Sequence, residues 1–145
     1  MKPVSELLKK HPQKDLYSVA PDATVFDAIK LLAEKHIGAV MVMDSGQLVG
    51  IFSERDYTRK IALQGLNSRE TKVREVMTSP VLYVTLEHRT RQCMALMSEK
   101  NIRHLPVLDG PDGKPVAMLS IRDLMNDIIA DHEFTIAQLE NYINQ

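Results

Sequence analysis

The sequence predicts an α+β protein: two copies of one β-α-β-β-α unit, packed as a pseudo-twofold pair, with an extended C-terminal helix. Three observations carry that expectation: an internal repeat, the same succession of apolar patterns in each copy, and a helical stripe that outruns the repeat. Displaced by 65 residues, Val19–Asp44 falls on Val84–Asp109, and Val19, Leu31, Glu34, Lys35, Ile37, Val42 and Asp44 meet identical residues. Two extra residues in the second copy move the offset to 67, where Val49, Ser53, Arg55 and Asp56 meet Val116, Ser120, Arg122 and Asp123. Upstream, Val4-Ser5-Glu6-Leu7-Leu8 resembles Val73-Arg74-Glu75-Val76-Met77. Self-similarity in one order, with one gap, marks a duplicated structural unit.

Each copy opens with a short strand ending near Val19 or Val84. A helix follows, its core face marked by Val25, Ala28, Ile29 and Leu32 in the first copy and by Thr90, Cys93, Met94 and Met97 in the second. That is the i, i+3, i+4, i+7 spacing of an amphipathic helix. Cys93 reads as a small hydrophobe on the stripe. Next come a strand, Ala39–Met43 or Leu105–Leu108, a turn at Asp44-Ser45-Gly46 or 109–113, and a returning strand, Leu48–Phe52 or Val116–Leu119. The short, Gly-containing turn predicts a hairpin. A second helix then starts at Ser53 or Ser120. One such unit buries too little apolar surface alone, so the two are expected to pack together. In chain order this divides into residues 1–68 (first unit with an N-terminal helix), 69–131 (second unit) and 132–145 (helical extension).

The extension keeps an apolar register of 129-136-143 with 125-132-139, interrupted only by His132, whereas the matching helix of the first copy fades at Gly65. Such a stripe must be covered, by the chain's own core or by a second subunit.

Composition sets the outer limits. The 145 residues are 44% hydrophobic and 26% charged, a globular balance. Eighteen basic against nineteen acidic side chains leave a net charge of −1, so no global field draws in nucleic acid. Aromatics at 5%, with no Trp, argue against a base-stacking platform. The longest apolar run, Ile37–Met43, is too short for a membrane span, and the first twenty residues lack a signal-peptide core. One cysteine excludes an intrachain disulfide framework and fits a reducing compartment, so a soluble cytoplasmic protein is expected.

Chemistry is expected where polar residues persist between copies. Ser53-Glu54-Arg55-Asp56 and Ser120-Ile121-Arg122-Asp123 share Ser-x-Arg-Asp at a strand-to-helix junction. The spacing suits a capping box; Thr24-Val25-Phe26-Asp27 has it too and reads as a cap only. A carboxylate beside a hydroxyl at the end of a strand also suits the vicinal hydroxyls of a ribose, where mixed sheets tend to bind ligands. Arg103 and His104 supply cations that would meet a phosphate, whereas the first copy has Gly38 and Ala39 at those positions, so the two sites are not equivalent. Arg59 and Lys60, one turn past Asp56, are further candidates for the first site.

Taken together, the duplicated unit, Gly50-Ile51-Phe52-Ser53-Glu54-Arg55-Asp56, Val73-Arg74-Glu75-Val76-Met77-Thr78 and Arg103-His104-Leu105-Pro106-Val107 resemble a tandem pair of cystathionine-β-synthase (CBS) domains, over roughly residues 4 to 131. The chain looks most like the stand-alone bacterial CBS-pair proteins. The resemblance implies two clefts between the units that take adenosine derivatives: AMP, ADP, ATP or NAD, with S-adenosylmethionine ranked below these. It implies that Asp56 with Ser53, and Asp123 with Ser120, hold ribose and lie near phosphate, Arg122 belonging to the second of these boxes. It further implies that adenine lies against Tyr17, Ile37 and Gly38 at the Asp123 site, and against Thr78, Leu82, Ile102 and Arg103 at the Asp56 site. Ala117 stands where the family pattern has Gly. The implied partners are a second copy of the chain and an unknown regulated protein, with no nucleic acid or membrane.

No Gly-x-Ser-x-Gly elbow, Walker A loop or zinc-binding spacing among the five histidines points to catalysis, a catalytic cofactor or a metal. The expectation is a nucleotide-sensing module that is not an enzyme. The competing reading is a structural or dimerisation scaffold whose Ser-x-Arg-Asp boxes only cap helices.

Overall fold

The computed structural model describes residues 2–12 and 15–144. Both expected units form, and each is a three-stranded sheet with one parallel and one antiparallel pairing, in the orders β1-β2-β3 and β4-β5-β6. In the first unit β1 (Ser18–Val19) runs parallel to β2 (Ala39–Asp44), which pairs antiparallel with β3 (Gln47–Ser53). In the second, β4 (Val84–Thr85), β5 (His104–Leu108) and β6 (Pro115–Ser120) repeat the arrangement. The first hairpin closes in two residues, with Asp44 paired to Gln47 and positive φ at both Ser45 (52°) and Gly46 (81°). This is the turn whose twist matches that of the strands. Even the irregularities repeat: the register shifts between Val42 and Met43, and at the equivalent Val107 and Leu108.

Helices α2 (Val25–Lys35) and α5 (Thr90–Lys100) bury the predicted stripes. Thr24 caps α2 by accepting from Asp27 N at 3.1 Å, as its spacing suggested. Cys93 is fully buried on α5, and burial pushes its thiol up to about 11, which keeps it an unreactive core group.

Two short helices dock on the units in exchanged fashion. α1 (Val4–Lys10) puts Val4 and Leu7 into the core of the second unit, beside Val84, Leu105 and Leu119. α4 (Val73–Val76) puts Val73 and Val76 into the core of the first, beside Val25, Val40 and Phe52. The backbone repeats the exchange: Val4 N donates to His88 O at 2.8 Å, and Val73 N to Ala23 O at 2.9 Å. The packing therefore crosses the chain-order division at both α1, which the sequence grouped with the first unit, and α4, which it grouped with the second. α1 turns its apolar face to the second sheet because the equivalent face of the first is taken by α4.

The helices after the two junctions differ. α3 (Glu54–Asp56) widens at once into a π-helical segment, Tyr57–Ala62, whereas α6 runs as one helix over Ile121–Ile143. α6 buries Leu124 and Asp127 early, but Met125, Ile129, Ile136, Leu139 and Ile143 are exposed, so the chain's own core does not cover the heptad stripe. Gln145, at the end of the expected extension, lies outside the described residues. Among them, no helix is long and apolar enough to cross a membrane.

Candidate functional site between the units

The site is built by how the helices stop and start. α2 and α5 each close on a left-handed residue, His36 (φ 54°) and Asn101 (φ 52°). The next amides, Ile37 N and Ile102 N, turn back to Leu32 O (3.1 Å) and Met97 O (2.9 Å). This helix-ending motif aims the chain at the start of β2 or β5. There the junctions meet it: Glu54 N donates to Gly38 O at 3.0 Å, and Ile121 N to Arg103 O at 2.9 Å. Each Ser-x-Arg-Asp motif thus sits beside the segment that carries Gly38-Ala39 or Arg103-His104.

Both motifs are complete capping boxes. Ser53 Oγ accepts from Asp56 N (3.2 Å) while Asp56 Oδ2 accepts from Ser53 N (3.0 Å). Ser120 and Asp123 match them at 3.1 and 2.9 Å. The first box goes further. Asp56 also accepts from Thr78 Oγ1 at 3.3 Å and pairs with Lys60 Nζ at 3.1 Å, both through Oδ1. One carboxylate oxygen serves the cap and the other faces side chains.

Asp56 and Thr78 line a cavity of about 360 Å³ between the units, a volume in the small-molecule range. The first unit lines it with Gly38, Ala39, Ile51, Arg59 and the Ser53–Asp56 motif. The connecting segment adds Thr78 and the run from Pro80 to Leu82, and the second unit adds the run from Lys100 to His104. Arg55 ties the walls together by donating to Asn101 O at 2.9 Å. Four permanent cations, Arg55, Arg59, Lys100 and Arg103, line it against two carboxylates, Glu54 and Asp56. The arrangement suits a polyhydroxylated ligand that carries an anionic group.

His104 completes one wall. A Cβ at Gly38 would lie 3.0 Å from its Cε1, so the bare backbone at Gly38 is what lets the imidazole close over the first unit. Burial holds its pKa below the ordinary histidine value, against the pull of Asp123 and Glu54 and with a small push from Arg103.

The structure therefore brings Ser53, Asp56, Thr78, Leu82, Ile102, Arg103 and His104 into one cavity. Gly38, which the resemblance assigned to the Asp123 side, lines it as well. Tyr17, Ile37, Ser120, Arg122 and Asp123 stand outside its lining. Tyr17 and Ile37 pack instead against the first unit's core, with Lys35 Nζ 5.4 Å from the centre of the Tyr17 ring. Sequence reasoning missed Lys100, Arg55 and Glu54 as lining residues, although Lys100 and Arg55 belong to repeat identities. Pro80 and Val81 carry no repeat signal. The Gly50-for-Ala117 exchange has a packing cause: a Cβ at Gly50 would meet Met77 Sδ at 2.5 Å. Leu8, the counterpart of Met77, packs against the core that holds Ala117.

Comparison with known proteins follows the same duplication. The family model for the CBS domain matches residues 4–63 and again residues 73–130. A CBS-domain protein from Burkholderia ambifaria MC40-6, a candidate signal-transduction protein, is 48% identical, with a TM-score of 0.85 over 90% of this chain and 96% of its own. The mitochondrial CBS domain-containing protein CBSX3 of Arabidopsis thaliana is 38% identical over 84% of this chain, which spans 61% of that relative's length. At 21% identity, the CBS pair of the protein MJ0100 shares the fold (TM-score 0.77, 90% of this chain and 98% of that one); it was solved with 5′-methylthioadenosine and S-adenosyl-L-methionine. Two family matches over most of the chain, on two sheets with the same topology and the same bulge, make this a tandem CBS pair: the chain belongs to the CBS-domain family.

Proposed function

We propose that this chain is a cytoplasmic regulatory module that senses an adenine nucleotide (AMP, ADP, ATP or NAD) in the Asp56 cleft and does not turn it over. The observation that carries the reading is Asp56 Oδ1, the carboxylate oxygen that the cap's backbone bond leaves to side chains. It already accepts a hydroxyl from Thr78, so a ribose hydroxyl replaces like with like. Arg59, Lys100 and Arg103 stand around the same space to take phosphate. Thr78, Leu82 and Ile102 offer the flat, mostly apolar surface that adenine needs. Capping and ligand binding coexist, because they use different oxygens of one carboxylate. The likeness to the MJ0100 pair is one of fold, so the preference for a phosphorylated ligand rests on the lining charges. Asp56→Asn is expected to weaken AMP binding by about 1.5–3 kcal/mol, the range for a hydrogen bond to a charged group. Calorimetric titration, paired with thermal unfolding of the same variant, checks it. Unchanged affinity with lowered stability would leave the scaffold reading in its place.

The exposed stripe of α6 supports a homodimer. An antiparallel pairing about a twofold axis at residue 134 sets Met125 against Ile143, Ile129 against Leu139, and His132 against Ile136. Every residue of the register except Ile136, which meets His132, then has an apolar partner from the second copy. Deleting residues 132–145 is expected to shift the protein from dimer to monomer in sedimentation at micromolar concentration, with AMP affinity within about twofold of the full chain's. A full-length chain that sediments as a monomer defeats the proposal.

A further inference from the structure

The two motif arginines are equivalent in the repeat but differ in what they hold. Arg55 Nη1 donates to Asn101 O at 2.9 Å, whereas its counterpart Arg122 is exposed and, among the described residues, forms no hydrogen bond or ion pair. Asn101 is the left-handed residue that ends α5, as His36 is for α2. Carbonyls at the end of a helix lack an intrahelical donor and carry the negative end of the helix dipole, so a guanidinium suits them on both counts. Asn101 lies within the run from Lys100 to His104, the second unit's wall of the cavity. Among the described residues that wall makes no other hydrogen bond to the first unit. The connecting segment is fixed differently: Thr78 N donates to Ile51 O at 2.8 Å and Ile51 N to Thr78 O at 3.1 Å, which joins it to β3. One lining segment is thus held by a pair of backbone bonds and another by a single side chain.

We infer that Arg55 is a positioning residue: it straps the 100–104 wall to the first unit and so fixes the width of the cleft before anything binds. Its guanidinium acts on the second unit's wall through Asn101, and Arg122 supplies no such strap on its side of the pair. For its ligand the inference rests on the nucleotide reading proposed above. A wall already in place spares the ligand the cost of ordering it. That wall carries Ile102 as well as Arg103, one apolar and one cationic, so its position bears on a neutral ligand as much as on a charged one.

Amide hydrogen exchange, read residue by residue by NMR without ligand, tests the strap. The Ile102 amide, which donates to Met97 O at 2.9 Å, is expected to exchange about three- to tenfold faster in Arg55→Met, the loss of one partly exposed hydrogen bond. Amides of the β5–β6 ladder should keep their rates, which separates a loosened wall from a destabilised unit. In Arg122→Met the Ile37 amide, equivalent to that of Ile102, should keep its rate. Calorimetric titration of Arg55→Met with AMP and with adenosine then tests the consequence: both affinities are expected to fall, by about three- to tenfold and by similar factors. An Ile102 amide that exchanges at the wild-type rate in Arg55→Met overturns the strap, whatever binds. A loss confined to AMP makes Arg55 a direct phosphate contact and overturns its positioning role while leaving the nucleotide reading standing. If neither compound binds the wild-type protein, the nucleotide reading fails by itself, and exchange at Ile102 still decides the strap.

Discussion

One helical turn past its motif carboxylate the first half carries Lys60 and the second Asp127, and the halves use these residues in opposite ways. Lys60 looks back toward the cleft, pairing with Asp56 and donating to Val76 O at 2.8 Å at the end of α4. Asp127 looks outward to the chain start, where Lys2 Nζ lies at 2.9 Å and His11 Nε2 at 3.4 Å. In both cases the residue ties the post-junction helix to a docked helix, α4 in one half and α1 in the other. A duplicated fold thus keeps the mechanical link while reversing its charge. The link that leaves the cleft cationic belongs to the half whose cavity is open.

The two links should differ in strength, because burial differs. Asp127 is nearly fully buried, whereas Lys60 keeps 41% of its side chain exposed. On the Lys2 ammonium, burial and hydrogen bonding act in opposite directions, with the net shift upward. Burial, the larger single influence, lowers its pKa, but Asp127 and Asp131 together raise it. Lys2→Met leaves a buried carboxylate with only His11 and is expected to cost about 3 kcal/mol, the low end for breaking a buried pair. Lys60→Met removes a half-exposed pair and should cost less than about 1 kcal/mol. Urea unfolding followed by circular dichroism compares the two directly. Equal losses would mean that α1 is held by its apolar face alone, and the contrast would collapse.

The docked helices are also fitted differently. On the first unit a glycine, Gly50, makes room for Met77; on the second an alanine, Ala117, goes with the shorter-reaching Leu8. The halves therefore exchange volume across one contact. Gly50→Ala is expected to destabilise by about 1–2 kcal/mol through overpacking against Met77. Adding Met77→Leu, which copies the other half, should recover most of that loss. A double variant no more stable than the single one would show that Gly50 is required for its backbone and not for the space beside it.

What could be read in advance follows from how local each cause is. The hairpin at Asp44-Ser45-Gly46, the caps at Ser53 and Ser120 and the stripe through Cys93 are decided within a few residues, and all three were legible. Repeat identities made Ser53, Asp56, Ser120 and Asp123 visible, and the contrast of Arg103-His104 with Gly38-Ala39 made the asymmetry visible. The partner of α1 was not legible, because an amphipathic pattern states that a face is buried but not against which sheet. Lys2 and Asp127 stand 125 residues apart, and neither lies in a repeat identity.

The smallest expected difference between the halves is one of pH. At the position where the second half has His104 the first has Ala39, so among the lining residues only the second unit contributes a histidine to the cleft. Burial lowers the pKa of His104 in the folded chain, while Asp123 and Glu54 raise it and Arg103 adds to the lowering. The net direction is down from the ordinary 6.5, so near pH 6.5 and below the unfolded chain binds more protons than the folded one. The contribution of His104 to stability is therefore fully present above pH 6.5 and is lost as the pH falls. At pH 6 the loss is at most about 0.8 kcal/mol. His104→Gln removes the titrating group, and its unfolding free energy should fall less than that of the wild type between pH 7.5 and 6. A phosphate bound beside the imidazole would favour the protonated form, so AMP at saturating concentration should shrink the difference between the two proteins. Parallel stability curves for His104→Gln and wild type, with and without AMP, would remove His104 from both the stability contrast and the phosphate wall.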